Sequence, residues 1–162
     1  MTIRKARTED IDFIMDIFEK ARLYMIKSGN PDQWEKGYPQ KELLLSDMKK
    51  GFCYVIEEGS IILGTFTFIL GTDPTYIHIQ GKWLNEKPYG TIHRIASSGE
   101  KKGLFHEAIK FCTSINPNIR IDTHEKNSTM LHLLEKEGFA FCGKIKCHNG
   151  TERIAFQRDF DD

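Results

Sequence analysis

Apolar side chains at Ile11, Ile14, Met15, Phe18, Ala21 and Met25 recur at the i, i+3, i+4, i+7 spacing of one helical face. The spacing predicts an amphipathic helix of about five turns, N-capped by Thr8, with Glu9 and Asp10 in its first turn and an end near Ser28–Gly29. The short run Thr2–Ala6 before it reads as an edge strand. After the loop Asn30–Pro39 a second helix is predicted over Gln40–Lys50, burying Leu43, Leu44 and Met48 until Gly51 stops it. The period then changes to two. Phe52–Glu57 and Ile61–Leu70 read as strands joined through the turn Glu58-Gly59-Ser60, with Phe66, Phe68 and Leu70 on one face. Gly71–Gly90 follows neither period, and within it Thr75–Gln80 is a candidate strand.

Ile92–Ser97 has strand character, with Ile92, Arg94 and Ala96 on one face and His93, Ile95 and Ser97 on the other. A polar loop, Ser98–Gly103, carries two glycines, and Leu104, Ala108, Ile109, Cys112 and Ile115 then recur at helical spacing to about Asn116. Pro117-Asn118 turns the chain into a strand at Ile119–Thr123. Asn127 is the predicted N-cap of a helix to Glu137, closed by Gly138. Phe139–Ile145 and Glu152–Arg158 form a last hairpin across Asn149-Gly150. The order β-α-α-β-β-β-α-β-α-β-β predicts one α/β (α+β) domain over residues 1–162. Its central sheet is mixed and mostly antiparallel, flanked by helices, with a parallel pair within 92–123.

Lys and Arg number 23 and Asp and Glu 23, so there is no basic excess to favour a nucleic-acid partner. Cys53, Cys112, Cys142 and Cys147 form no CxxC pair, and Cys142, Cys147 and His148 fit no common zinc spacing. No metal is expected, and reduced thiols in a cytoplasmic protein are the better reading. The charged start MTIRKARTED lacks the apolar core of a signal peptide. The most apolar run, Ile61–Leu70, is interrupted by Gly64, Thr65 and Thr67, so no membrane association is expected.

The chemistry concentrates at IHRIASSGEKKG, residues 92–103, and the helix after it. A strand, a glycine-containing loop and a helix N-terminus aim backbone N–H groups and a positive dipole end at one point, which favours an anion such as phosphate. Taken alone this arrangement is a weak signal, because many strand–loop–helix junctions bind nothing. Three further pieces accompany it in order: TIRKARTEDID, CYVIEEGSIILGTFTF and THEKNSTMLHLLEKEGFAFCG, the last with Asn127 eleven residues before Gly138-Phe139. With these residues in place, essentially the whole chain resembles the GCN5-related N-acetyltransferase (GNAT) family.

The resemblance implies acetyl-CoA as co-substrate, held in a V-shaped opening between the strand at 92–97 and the next one. Ile95, Ala96 and Ser97 would pair with the pantetheine arm. Ser98, Gly99, Lys101, Lys102, Gly103, Leu104 and Phe105 would wrap the diphosphate, and Asn127 would contact the cofactor through its side chain. At Gly103 backbone has to approach phosphate closely. Lys101 and Lys102 read either as phosphate partners or as solvated surface lysines. Two departures from the family pattern stand out. Glu100 occupies the place of a Gln or Arg and Phe105 that of a small residue. Leu134 takes the place of a tyrosine that in many members protonates the departing thiolate.

The implied reaction is direct transfer of an acetyl group to a primary amine of a small-molecule acceptor. An alkyl ammonium near pKa ~10.4 must first lose a proton, so a general base is useful. His93 and His124 are the candidate bases, each with an alternative reading as a hydrogen-bonded structural histidine. Trp34, Tyr38, Trp83 and Tyr89 lie in the two irregular stretches and are candidates for an aromatic acceptor pocket, or else cover the sheet edge. Arg94 is either a ligand for an acceptor carboxylate or an internal ion-pair partner. Asp122, like Glu125, is a candidate for binding an acceptor cation, or else takes a capping or solvated role. The competing class is a catalytically weak or inactive module of the same fold that binds acyl-CoA or a partner, which Glu100, Phe105 and Leu134 motivate. Members of the family often form homodimers, and neither the oligomeric state nor the acceptor is legible in the sequence.

Overall fold

A computed structural model of the chain describes residues 1–162. In chain order the elements are β1 (Thr2–Lys5), α1 (Ile11–Lys27), α2 (Lys41–Lys49), β2 (Cys53–Glu58), β3 (Ile61–Leu70), β4 (Gln80–Gly81), β5 (Gly90–Ser97), α3 (Leu104–Ile115), β6 (Asn118–Thr123), α4 (Ser128–Lys136), β7 (Ala140–Lys146) and β8 (Glu152–Asp159). All eight strands join one sheet in the order β1-β2-β3-β5-β6-β8-β7-β4. Only β5 and β6 run parallel, because α3 carries the chain back between them; the other pairs are antiparallel. No helix is long and apolar enough to cross a membrane.

Three apolar clusters hold the layers together. One face of the sheet packs against α3 and α4 through Phe66, Phe68, Ile92, Leu104, Phe105, Ile109 and Leu134. The other packs against α1 and α2 through Ile14, Phe18, Trp34, Leu44, Val55 and Ala96. A third, smaller cluster of Tyr76, Trp83, Tyr89, Cys142, Ile145 and Ala155 lies beneath the irregular 71–90 segment.

Some local expectations are corrected. Thr8 does not cap α1. Residues Thr8–Asp10 form a 3₁₀ turn, and Asp10 closes it by accepting the Arg7 N–H at 2.7 Å. Asp10 is drawn there by Arg4, which also bonds Glu57 and so ties β1 and β2 to the start of α1. Thr75–Gln80 is not a strand. Asp73 caps a 3₁₀ turn at Pro74–Tyr76, and only Gln80–Gly81 pairs, with β7.

The alternation expected along β5 also fails, at the point that matters most. Thr65 of β3 faces Ala96 and Thr67 faces His93, so two residues of β5, Arg94 and Ile95, stand opposite Phe66 alone. This is a β-bulge, with Arg94 at φ 51° in the left-handed region. The extra residue resets the faces. Ile92 and Ile95 pack toward α3 and α4, whereas Ala96 packs toward α1 and α2.

Candidate active site

Strands β5 and β6 pair only at Gly90–Ile119 and Thr91–Arg120 and then part. From Ile92 to Ser97 the edge of β5 that faces β6 is therefore unpaired, and its backbone groups are free to bond an extended ligand. The opening widens into a cleft of about 400 Å³. Its walls are Ile92–Ile95 of β5, Ile121–Thr123 of β6, Asn127 and Met130 at the start of α4, and Trp34, Glu35 and Tyr38 of the α1–α2 loop. Gln33, Asp73, Thr75, Cys147, His148 and Arg153 are among the residues of the rim.

Beyond the end of β5 lies the loop 98–103. Ser97 and Ser98 hydroxyls accept the N–H groups of Gly99 and Glu100 at 3.0 and 3.3 Å and fold the loop back. Gly103 sits at φ 87° as the N-cap of α3, which no side chain caps. The first intrahelical bond there is Glu107 N–H to Gly103 O, so the N–H groups of Leu104, Phe105 and His106 have no helical partner. The first turn of α3 thus presents bare donors next to the unpaired edge of β5. That combination suits an extended amide-bearing arm continued by phosphate, and it fits acetyl-CoA.

The departures noted in the sequence acquire a physical meaning. The Phe105 side chain is only 5% exposed and packs into the α3–α4 core with Leu104, so both residues face the loop with backbone alone. Glu100 is exposed. Lys101 is held by Glu58 at 2.6 Å, whose carboxyl it draws below the usual range, and Lys102 is exposed. Leu134 is fully buried in the cluster that holds Phe66 and the α3 side chains, does not line the cleft and offers no acidic proton.

The two histidines are separated. His93 lies on the cleft wall and its Nε2 stands 2.7 Å from Asp73 Oδ2. Burial pushes the Asp73 carboxyl up, but hydrogen bonds from His93 and Thr75 outweigh it and hold it at about 2. Asp73 is therefore a carboxylate that only accepts, so His93 Nε2 carries a proton and donates it, which leaves Nδ1 as the nitrogen able to act as a base. The Tyr89 hydroxyl accepts the Asp73 N–H at 2.8 Å and fixes the carboxylate's backbone. His124, by contrast, faces a groove on the other side of Arg153, with Asp32 and Glu152, and its Nδ1 accepts the Lys126 N–H at 3.1 Å. Burial and then the Arg153 charge lower its pKa.

The depressed Asp73 pKa has a measurable consequence. A carboxyl lowered from 3.8 to about 2 adds stability that is present above pH ~4 and is lost as pH falls toward 2. The expected contribution is about 2 kcal/mol. Urea unfolding of Asp73→Asn should show a deficit of that order at pH 5 that closes toward pH 2. A deficit independent of pH would assign it to lost packing instead.

Arg94 is an internal ion-pair partner. Its Nε and Nη2 donate to Asp47 of α2 at 2.9 and 3.0 Å, and Asp47 also accepts from Thr67 at 3.1 Å. Its Nη1 makes no bond within the protein, and the residue lines the cleft. Asp122 reaches the cleft from β6, with Oδ1 accepting from the fully buried Tyr76 hydroxyl at 2.5 Å and Oδ2 uncommitted. Asn127 is committed on both sides, accepting from Met130 N–H at 3.0 Å as N-cap and donating to Gln33 Oε1 at 2.9 Å.

Of the four candidate aromatics the structure brings only Trp34 and Tyr38 to the cleft. Trp83 and Tyr89 instead close on Arg120 from β6, with its guanidinium carbon 4.1 and 4.0 Å from their ring centroids. That stacking, with the Arg120 Nη2 bond to the Asn85 carbonyl at 2.8 Å, supports a guanidinium that has no carboxylate partner at 4% exposure. Asp73 and Gln33 are the site residues that the sequence did not reveal. Asp73-Pro74-Thr75 is a legible capping signal, but nothing local to it points to His93, twenty positions away.

Comparison with known proteins places this geometry. No protein-family model matches the chain, and no curated protein does. Solved structures match along its whole length. An acetyltransferase of the GNAT family from Streptococcus agalactiae 2603 is 36% identical, with 98% of this chain and 94% of that chain covered and a TM-score of 0.84. A candidate acetyltransferase from Staphylococcus aureus Mu50 is 25% identical over 99% of each chain, with a TM-score of 0.72. A Salmonella typhimurium protein solved with its cofactor acetyl-CoA shares the fold, at 17% identity over 100% of this chain and 95% of that one, with a TM-score of 0.64.

Proposed function

The chain belongs to the GNAT family of acetyltransferases, and on that footing we propose that it transfers the acetyl group of acetyl-CoA directly to a primary amine of a small cytoplasmic molecule, in a ternary complex. The observation that carries this reading is the opening between β5 and β6. It has free backbone and the bare α3 N-terminus at one end, and the Asp73–His93 pair at the other. The unpaired edge at Ile95–Ser97 would hold the pantetheine arm. The loop Ser98–Gly103 and the N–H groups of Leu104 and Phe105 would hold the diphosphate, with Lys101 and Lys102 alongside. Asn127 shapes this end through Gln33. When bound, acetyl-CoA supplies a thioester carbonyl open to attack.

The protein's part is positional and acid–base. Asp122 Oδ2 and the rings of Trp34 and Tyr38 bind and orient the amine's cationic form. His93 Nδ1 accepts the proton that the amine must lose, with Asp73 holding the ring by Nε2. A backbone N–H of the bulged β5 segment polarises the carbonyl. His124 has no place in these steps, because its ring lies outside the cleft.

Calorimetric titration with acetyl-CoA, with dephospho-acetyl-CoA as control, tests the cofactor site, and release of CoA thiol over a panel of amines tests transfer. His93→Ala is expected to lower kcat by about 10²–10⁴-fold and to remove the limb on which the rate rises with pH. His124→Ala should leave both unchanged. Equal effects of the two substitutions would remove His93 as the base. The burial of Leu134 favours a second reading, a module that binds acyl-CoA without turnover. Tight acetyl-CoA binding with no thiol release from any amine would establish it.

A further inference from the structure

Transfer to an amine expels CoA as a thiolate. A free thiol has a pKa of about 8.5, so protonating the departing sulfur lowers the barrier near neutral pH. Most protons on the cleft wall are already committed. Thr75 Oγ1 donates to Asp73 at 2.7 Å, Thr123 Oγ1 to Gln33 at 3.3 Å, and Cys147 Sγ to Asn149 at 2.9 Å. The Tyr76 hydroxyl is fully buried behind Asp122 and spent on it. Arg153 holds its proton too firmly to serve as an acid.

Tyr38 is different. Its ring lines the same cleft as His93 and the β5 bulge. It is held edge-on by Trp34, with centroids 5.9 Å apart, and stacked by His148 at 5.3 Å. Arg94 lines the same cleft, keeps its two bonds to Asp47 and has Nη1 to spare. Burial pushes the phenol's pKa up and Arg94 opposes the shift, so the hydroxyl keeps its proton while a cation stands ready for the phenolate.

We infer that Tyr38 is the proton donor to the departing thiolate, a role that rests on the acetyltransferase reading above. As the amine nitrogen forms its bond to the acetyl carbon, the C–S bond breaks and its electron pair passes to sulfur. Sulfur takes the phenolic proton of Tyr38 and leaves as the CoA thiol. The amine's proton is on His93 and passes to solvent, and the Tyr38 phenolate beside Arg94 regains a proton from solvent.

The test uses Tyr38→Phe, which keeps the ring and its stacking partners. Hydroxylamine serves as acceptor, since it is small and largely neutral near pH 7. With acetyl-CoA the variant should bind the cofactor as tightly as wild type, lose about 10²-fold or more in kcat, and lose the alkaline limb of the pH–rate profile. With the selenoester analogue of acetyl-CoA, whose selenolate leaves without a proton, the difference from wild type should largely disappear. Wild-type kcat in the variant with acetyl-CoA overturns the assignment. An equal loss with both donors does so too, since it marks a positioning role. Failure of the wild-type protein to bind acetyl-CoA is a separate outcome, which defeats the acetyltransferase reading itself and this inference with it.

Discussion

Gly103→Glu is expected to weaken acetyl-CoA binding by at least about 100-fold, or roughly 2.7 kcal/mol, while the protein remains folded. Three features set that size. Gly103 stands at φ 87°, where any other residue is strained by about 1–2 kcal/mol. A Cβ at this position meets no atom within 4 Å, so the side chain would be accommodated rather than expelled. Its carboxylate would then lie at the α3 N-terminus, where the Leu104, Phe105 and His106 N–H groups are otherwise free for phosphate. Gly103→Ala carries the backbone strain without the charge and should show a smaller loss. Calorimetry gives the affinities and thermal unfolding verifies the fold. Unchanged affinity in Gly103→Glu would falsify the assignment of the diphosphate to this loop.

The second large effect concerns stability. Asp47→Ala should cost about 3–5 kcal/mol, because it strands the Arg94 guanidinium in a site where that side chain is 12% exposed. It also removes the acceptor of the buried Thr67 hydroxyl. The ion pair anchors α2 to the β5 bulge and helps hold Arg94 at its unusual φ, so activity should fall with stability. Asp47→Asn, which keeps an acceptor oxygen, should cost less. Urea unfolding of the three proteins measures this, and a cost for Asp47→Ala below about 1 kcal/mol would show the pair to be solvated.

The resemblance carried by the four sequence pieces puts the cofactor end of the site along β5 and α3, a stretch of contiguous chain. A strand, its loop and the following helix bring their own N–H groups together without help from distant residues. Phe105 shows the limit of such reading. A bulky residue in a phosphate loop looks like an obstruction until its side chain is seen to enter the core.

The aromatic end of the cleft was only half legible. Four aromatics with the same local signature went two ways: Trp34 and Tyr38 to the cleft, Trp83 and Tyr89 onto Arg120. Local sequence did not separate them, because the buried cation that claims the second pair lies on β6. His93 and His124 were equivalent as candidates, and a carboxylate twenty positions from His93 distinguished them.

By itself the sequence determined the order of the longer elements, the helical periods, the hairpin turns and the Asn127 cap, all of which depend on residues within a few positions of one another. The tertiary structure alone decided the β5 bulge, the Asp47–Arg94 and Asp73–His93 pairs and the sorting of aromatics. Each of these is a choice of partner across the fold. Period-two alternation cannot register an inserted residue, and the charge of Arg94 gives no sign of which carboxylate will meet it. Only the packing of α2 on the sheet supplies that.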